Sequence, residues 1–433
     1  MKSVVPNKSV TQKYDEYVIT SFLKSVQPLN IESARGAVIT AKDGKQYIDC
    51  FAGISVVNSG HCNPSVMAAA EAQMKKLIHC CSYMYYVEPV AELAEKLAEI
   101  TPGRLKKSFF ANSGAEAIEG ALKLAKLYTG KTEVISLEAS FHGRTLGTLS
   151  ITGNAGRKRR GGPYSPGVAF APVPYFYRST GRTEDEIGEQ CAQAIEDVIR
   201  FGTADDVAAF IAEPVLGEGG IIVPPSNYFK HVKAILDKHS ILFIADEVQT
   251  GFGRTGSMFA IDHYDVEPDI LVTAKGIAAG FPLSAFTTRD EIAAAFRPGD
   301  HLSTFGGNPI SCAAALANIS FIEEENLCDY SKSLGESALK VLYGIQKKTF
   351  HVGEVRGKGL MIGIELVKDE SKTPDPTLAE QVRASCLRRG VLVGVGGIYG
   401  NVVRIQPPLV IQKNQMGQAL EVLEDSLTEV IAI

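Results

Sequence analysis

Four stretches of this chain hold residue types that could do chemistry. Residues 270–274 form an apolar run that ends in Lys275, followed by Gly276. Lysine is depleted in buried strands, so its placement needs a reason. A desolvated lysine has a lowered pKa and becomes a usable amine nucleophile. A lysine head reaching solvent at a strand end is the plainer alternative. Residues 241–245 are likewise apolar and end in Asp246-Glu247. A carboxylate there points into the crevice where α/β sheets bind ligands. Burying it is costly unless a cation pairs with it, although an aspartate capping a helix would look the same. Asn112-Ser113-Gly114-Ala115 sits where a strand turns into a helix. Free backbone N–H groups make such a turn suitable for phosphate, and an ordinary N-cap shares the pattern. Phe141-His142-Gly143-Arg144 follows another strand. Phe141 could stack on a planar ring, and Arg144 could grip a carboxylate by a two-pronged contact. A core phenylalanine beside a surface arginine is the alternative.

No single stretch decides, but one ligand needs all four features: a phosphorylated pyridine aldehyde. The lysine forms an imine with it, the aspartate keeps the ring nitrogen protonated, and the turn holds the phosphate. A competing motif, Gly251-Phe252-Gly253-Arg254-Thr255-Gly256, matches GxGxxG. A dinucleotide site wants the glycines directly after the strand and an acid closing the next strand. Here Glu247 to Thr250 intervene, and the next strand ends in a lysine, which argues against a nicotinamide cofactor.

The elements that position these residues alternate. Apolar positions Val90, Leu93, Ala94, Leu97 and Ile100 have helical spacing, residues 108–111 are strand-like, and Ile118, Ala121, Leu122, Ala125 and Tyr128 mark a helix that Gly130 stops. Strands are expected at Glu133–Leu137, 168–173, Val207–Ala212, 241–245 and Ile270–Thr273, with helices at 186–200 and 228–239. Short apolar strands alternating with helices predict an α/β fold with a mostly parallel sheet covered on both faces. The C-terminal part reads as a smaller α+β lobe, with strands at 360–367, 391–395 and Val402–Ile405 and helices at 377–389 and 415–431. A chain of 433 residues is too long for one ordinary core, which predicts two lobes.

Composition narrows the function. The chain is 45% hydrophobic and 21% charged, with a net charge of -5 and no basic block, so no nucleic-acid partner is expected. No apolar stretch has the length or flanks of a signal peptide or a membrane span. The eight cysteines lack metal-site spacing, so we expect no metal site and free thiols in a reducing cytoplasm.

With these residues in view, the sequence resembles the class III aminotransferases, the group of GABA, acetylornithine and other ω-amino acid transaminases. The carrying stretches are FIADEVQTGFGRTGSMFA and PDILVTAKGIAAGFPLS within 243–284, with NSGAEA, FHGRT, EPVLGEGG and TFGGNP elsewhere. The resemblance implies the fold type I architecture: a large domain over 65–330 with a seven-stranded sheet, and a small domain built from 1–64 and 331–433. It implies pyridoxal 5'-phosphate as cofactor and active sites lying between subunits of a homodimer or a dimer of dimers. By that resemblance Lys275 is the imine-forming lysine and Asp246 the partner of the ring nitrogen. Ser113, Gly114 and Ala115 hold the phosphate, with Thr304 added from the neighbouring subunit. Phe141 and Val248 sandwich the ring, His142 sits beside it, and Gln249 contacts the phenol oxygen. Arg404 binds the α-carboxylate of a 2-oxo acid acceptor, and Glu218 covers Arg404 when a donor lacking that group binds. Ile54, Tyr83, Arg144 and Glu213 fall at substrate-pocket positions. Tyr83 departs from the GABA type, where a glutamine is expected, which favours a broader donor pocket. The alternative within the same family is an amino-acid racemase or epimerase.

Overall fold

A computed structural model describes residues 8–21, 27–179 and 182–431. Its centre is a seven-stranded sheet: β1 Lys107–Ala111, β2 Glu133–Leu137, β3 Val168–Ala171, β4 Val207–Ala212, β5 Leu242–Asp246, β6 Ile270–Thr273 and β7 Ser284–Thr288. The strand order is β1-β7-β6-β5-β4-β2-β3. All neighbours run parallel except β7, which is antiparallel to both β1 and β6.

Both faces of the sheet are dry because successive side chains point to opposite sides. Ala209, Ile211, Leu242, Ile244, Ile270 and Val272 pack on one face with Ala117, Ile118, Ala121 and Leu124 of helix α1, Gly114–Thr129. Phe210, Phe243, Ala245 and Leu271 pack on the other with helices α2, Glu184–Gly202, and α3, Tyr228–Lys238. Helix α1 begins at the Ser113 N-cap and ends at Gly130, whose φ of 70° is the left-handed stop that glycine allows.

Two features differ from the reading of the sequence. Strand β3 ends at Ala171, not 173, because Pro172 has no N–H to donate. Strand β7 was not anticipated, since its sequence SAFTT lacks an apolar run, yet all five residues are buried. Its hydroxyls find partners on neighbouring elements: Ser284 Oγ donates to Ser113 O at 2.8 Å, and Thr288 Oγ1 to Asp269 O at 2.7 Å.

The C-terminal lobe carries a four-stranded antiparallel sheet of Val352–Lys358, Met361–Leu366, Val402–Ile405 and Gly394–Gly396. A second four-stranded sheet joins the two chain ends: Gln46–Asp49 pairs in parallel with Val391–Leu392. The stretch 391–395 is therefore not one strand, because the chain leaves one sheet after Leu392 and enters the other at Gly394. The boundary drawn at 330/331 falls inside the helix Leu327–Gln346.

The GxGxxG segment is a clamp between these parts. Arg254 is fully buried, with Nη1 donating to Leu360 O at 3.0 Å and Pro407 O at 2.5 Å and Nη2 donating to Asn58 Oδ1 at 2.8 Å. These contacts tie the β5–β6 connection to both chain ends. Among the described residues no helix is long and apolar enough to cross a membrane.

Candidate active site

The C-terminal ends of β5 and β6 open into one crevice, the place where a parallel sheet binds ligands. Asp246 closes β5 and is 2% exposed. Its Oδ1 accepts from Val248 N at 3.0 Å, and its Oδ2 lies 2.7 Å from His142 Nδ1. An ionised carboxylate can only accept, so Nδ1 carries the proton. His142 is buried too, and its Nε2 lies 3.2 Å from Ser136 Oγ on β2. The sequence placed His142 beside the site but gave no sign that it orients Asp246. The two are 104 residues apart.

Lys275 follows β6 in a left-handed conformation, φ 33°, a strained state for a residue with a Cβ. Desolvation lowers its pKa below the ordinary lysine value, opposed by Glu218, Asp246 and Glu213. The result is an amine more readily deprotonated than a surface lysine.

The anion end of the cavity is the start of α1. Ser113 Oγ accepts from Glu116 N at 3.3 Å. A Cβ on Gly114 would come within 3.0 and 3.1 Å of the two Val248 methyls and 3.6 Å of Ala274 Cβ. Only glycine leaves that space open at a helix start, where backbone N–H groups lack intrahelical partners. Phe141 forms a further wall. Its N–H is held by Glu213 Oε1 at 2.9 Å, while Glu213 Oε2 accepts from Gly217 N at 2.8 Å. Each Glu213 oxygen thus holds a backbone N–H, so this residue positions Phe141 and Gly217 rather than gripping a substrate. Burial pushes its carboxyl up to about 7, against His142 and with Asp246. Gln249 is buried, and its Nε2 finds no hydrogen-bond partner among the described residues.

These groups enclose a cavity of about 320 Å³, within the usual range of small-ligand sites. Ser113, Gly114, Ala115, Phe141, His142, Glu213, Asp246, Val248, Gln249 and Lys275 all line it. Val56, Phe281 and Pro282 line it as well and were not foreseen. Their sequence signal is only apolar or turn-forming, shared with many core positions.

Near Lys275 lies a buried ion pair. Arg404, 0% exposed on Val402–Ile405, donates from Nη1 to Glu218 Oε1 at 2.5 Å and from Nη2 to Val395 O at 3.3 Å. Its guanidinium lies 5.3 Å from the Phe51 ring centroid. Burial would raise the Glu218 pKa, but Arg404, with Lys275 and Arg157 adding, holds it below the usual carboxylate range.

Six expected site residues stand outside the cavity wall of this chain: the paired Glu218 and Arg404, and Ile54, Tyr83, Arg144 and Thr304. Ile54 lies in a run of left-handed residues from Ala52 to Ser55. The Tyr83 hydroxyl donates to Phe110 O at 2.7 Å and accepts from Phe110 N at 2.6 Å, so it secures β1. Arg144 is exposed, 5.5 Å from the Phe141 ring centroid, and Thr304 lies on an exposed loop.

The family model for aminotransferase class-III matches residues 22–427. The chain belongs to the class III aminotransferases. It is 43% identical to an acetylornithine aminotransferase of Methanosarcina mazei and 39% identical to a probable 4-aminobutyrate aminotransferase of Bacillus subtilis, covering 96% of each chain in both pairs. Among solved structures, an ω-transaminase of Pseudomonas jessenii in complex with PMP superposes with a TM-score of 0.93 at 30% identity, covering 98% of this chain and 99% of that one. An amine transaminase from an uncultivated Pseudomonas species in its PLP-bound form gives 0.89 at 34% identity, covering 95% and 98%. This class III aminotransferase therefore has the fold type I architecture and is a pyridoxal-phosphate enzyme that transfers amino groups. The racemase alternative finds no support in these relatives, which are named as aminotransferases.

The residues present fit that cofactor. Gly114 leaves a cradle a Cβ would fill, Gln249 Nε2 is an unsatisfied donor, and Asp246 and Lys275 face the same cavity. Gly114→Ala should push Val248 into the cavity and weaken pyridoxal phosphate binding about ten-fold, the effect of roughly 1.4 kcal/mol of overpacking. Titration of the apoenzyme with cofactor measures this, and unchanged affinity in a folded variant would contradict the cradle.

Proposed function

We propose that this aminotransferase takes the amino group of an ω-amino acid or related amine and passes it to a 2-oxo acid, pyruvate or 2-oxoglutarate, in two alternating half-reactions at one site. The observation that carries this reading is the buried pair of Glu218 and Arg404 close to Lys275. An ω-amino donor presents its reactive carbon without a neighbouring carboxylate, whereas a 2-oxo acid has one. An uncovered arginine facing the apolar donor would cost desolvation energy, so a carboxylate that covers it and then leaves serves both substrates. Relatives named for 4-aminobutyrate and 5-aminovalerate support the same donor class.

In this reading Ser113, Gly114 and Ala115 would hold the cofactor phosphate, and Phe141 and Val248 would flank the ring. Gln249 would donate to the phenol oxygen, and Asp246, oriented by His142, would hold the ring nitrogen. When bound, pyridoxal phosphate supplies an electron sink for the carbon that loses its proton. Lys275 would be the residue that holds the cofactor, and its Nζ would take the substrate proton and return it. Its desolvated, readily deprotonated amine suits that work. Arg144 receives the far carboxylate of the donor, and Ile54 and Tyr83 border the donor side.

A homodimer, or a dimer of dimers, completes the site. The exposed Ile78, Met84, Tyr85 and Tyr86 share a segment with His79, whose ring lies 5.2 Å from that of the exposed Phe305. Asn308 Nδ2 donates to Ile78 O at 3.0 Å, so the Thr304 loop and this segment form one apolar face. Such a face is a reason to associate, and it would carry Thr304 to the partner's phosphate site. Free thiols at all eight cysteines suit a cytoplasmic enzyme, and recovery from another fraction of the cell would contradict that placement.

Light scattering during assay should find at least a dimer, and an active monomer would refute the shared site. Arg404→Lys should lower kcat/KM of the 2-oxo acid half-reaction by about ten- to hundred-fold, the scale of a lost charged two-pronged contact. The ω-amino donor half-reaction should change by less than about three-fold, because Arg404 does not touch that substrate. Equal losses in the two halves would contradict the exchange.

A further inference from the structure

We infer that Arg157 is the second berth of Glu218, the cation its carboxylate turns to when a substrate carboxylate takes Arg404. The inference rests on the proposed exchange at Arg404 and adds a residue that makes it possible.

Glu218 lies between two guanidinium groups on different elements. Its Oε1 is 2.5 Å from Arg404 Nη1, and its Oε2 is 3.5 Å from Arg157 Nη2. Arg404 belongs to a strand of the C-terminal lobe, whereas Arg157 ends the short turn Ala155–Arg157, which Asn154 caps by accepting from Gly156 N at 3.2 Å. Glu218 is 7% exposed, so leaving Arg404 without another partner would strand a buried charge. Less than an ångström of side-chain motion brings Oε2 into ordinary bonding range of Arg157.

The surrounding backbone is fixed, so that motion belongs to the side chain. Gly397 N donates to Glu218 O at 3.2 Å, and Arg356 holds Gly220 O through Nε at 3.1 Å and Nη2 at 2.6 Å. Arg157 is partly desolvated, and Arg144 and Arg404 lower its pKa further while Glu218 opposes them. An arginine keeps its charge under such conditions where a lysine could lose it. Arg157 is thus a positioning residue that acts through Glu218. The nearby sequence shows only a basic cluster, Arg157-Lys158-Arg159-Arg160, with nothing to single out its first member.

The test uses holoenzyme and compares Arg157→Gln and Arg157→Lys in normal and Glu218→Gln backgrounds. Arg157→Gln should raise KM for the 2-oxo acid about ten-fold, while the donor half-reaction shifts less than about two-fold. Arg157→Lys should restore part of the loss. In the Glu218→Gln background Arg157→Gln should have no further effect, because no charge remains to be relocated.

A second readout is equilibrium binding of propionate, an unreactive carboxylate, followed by calorimetry. The charged groups facing Glu218 are Arg404, Lys275 and Arg157. Without Arg157, the displaced Glu218 has a raised pKa and must take up a proton. Propionate should then bind the Arg157→Gln enzyme more weakly at about pH 8 than at about pH 6, by about five-fold more than in the wild type. The excess should vanish with Glu218→Gln. Equal effects of Arg157→Gln in both backgrounds, or equal losses in both half-reactions, would overturn the berth and leave Arg157 a substrate contact or a structural residue. If Arg404→Lys spares the 2-oxo acid half-reaction, the exchange itself fails and the berth with it. If Arg404→Lys is selective but Arg157→Gln is silent, only the berth fails.

Discussion

Asp246 and Lys275 emerge from neighbouring parallel strands into one crevice, and holding a buried acid beside a partly buried, desolvated amine there is the constraint the rest of the structure serves. Asp246 lies opposite Val272 in the sheet, so Lys275 follows three residues beyond that register. Each charge needs an answer. Asp246 finds His142, itself held near Ser136, and the lowered pKa of Lys275 reduces the cost of burying the amine. Two apolar layers, one on each face of the sheet, keep the crevice from relaxing.

The same logic extends outward. Glu213 spends its two oxygens on backbone N–H groups and so fixes Phe141 against the cavity. Arg254 donates from Nη1 and Nη2 to backbone and amide oxygens of three distant segments and so fixes the loop that follows Asp246. Buried polar groups here act as spacers: each is costly alone, and their mutual hydrogen bonds favour one arrangement. Arg404 and Glu218 differ, because under the proposed function a substrate carboxylate replaces their pairing.

Much of this was legible in the sequence for physical reasons. Strands β4, β5 and β6 are buried on both faces and must be continuously apolar, so their ends, and with them Asp246 and Lys275, could be located from composition. The Ser113 turn was legible as a cap followed by a helix with a clear apolar stripe. Strand β7 was not, because its buried serine and threonine hydroxyls are satisfied by partners that spacing cannot reveal. The role of His142 depends on a contact across 104 residues, and Arg157 meets Glu218 across 61. Thr304, Ile54, Tyr83 and Arg144 stand outside the cavity wall of this chain, so its geometry gives them no place in the site beyond the resemblance.

The central claim is that Lys275 is the residue that carries the cofactor. Reducing the holoenzyme with borohydride, digesting it and mapping the pyridoxyl group by mass spectrometry tests that claim directly. The account predicts one labelled peptide, modified at Lys275. A pyridoxyl group found on any other lysine, with Lys275 unmodified, would contradict it.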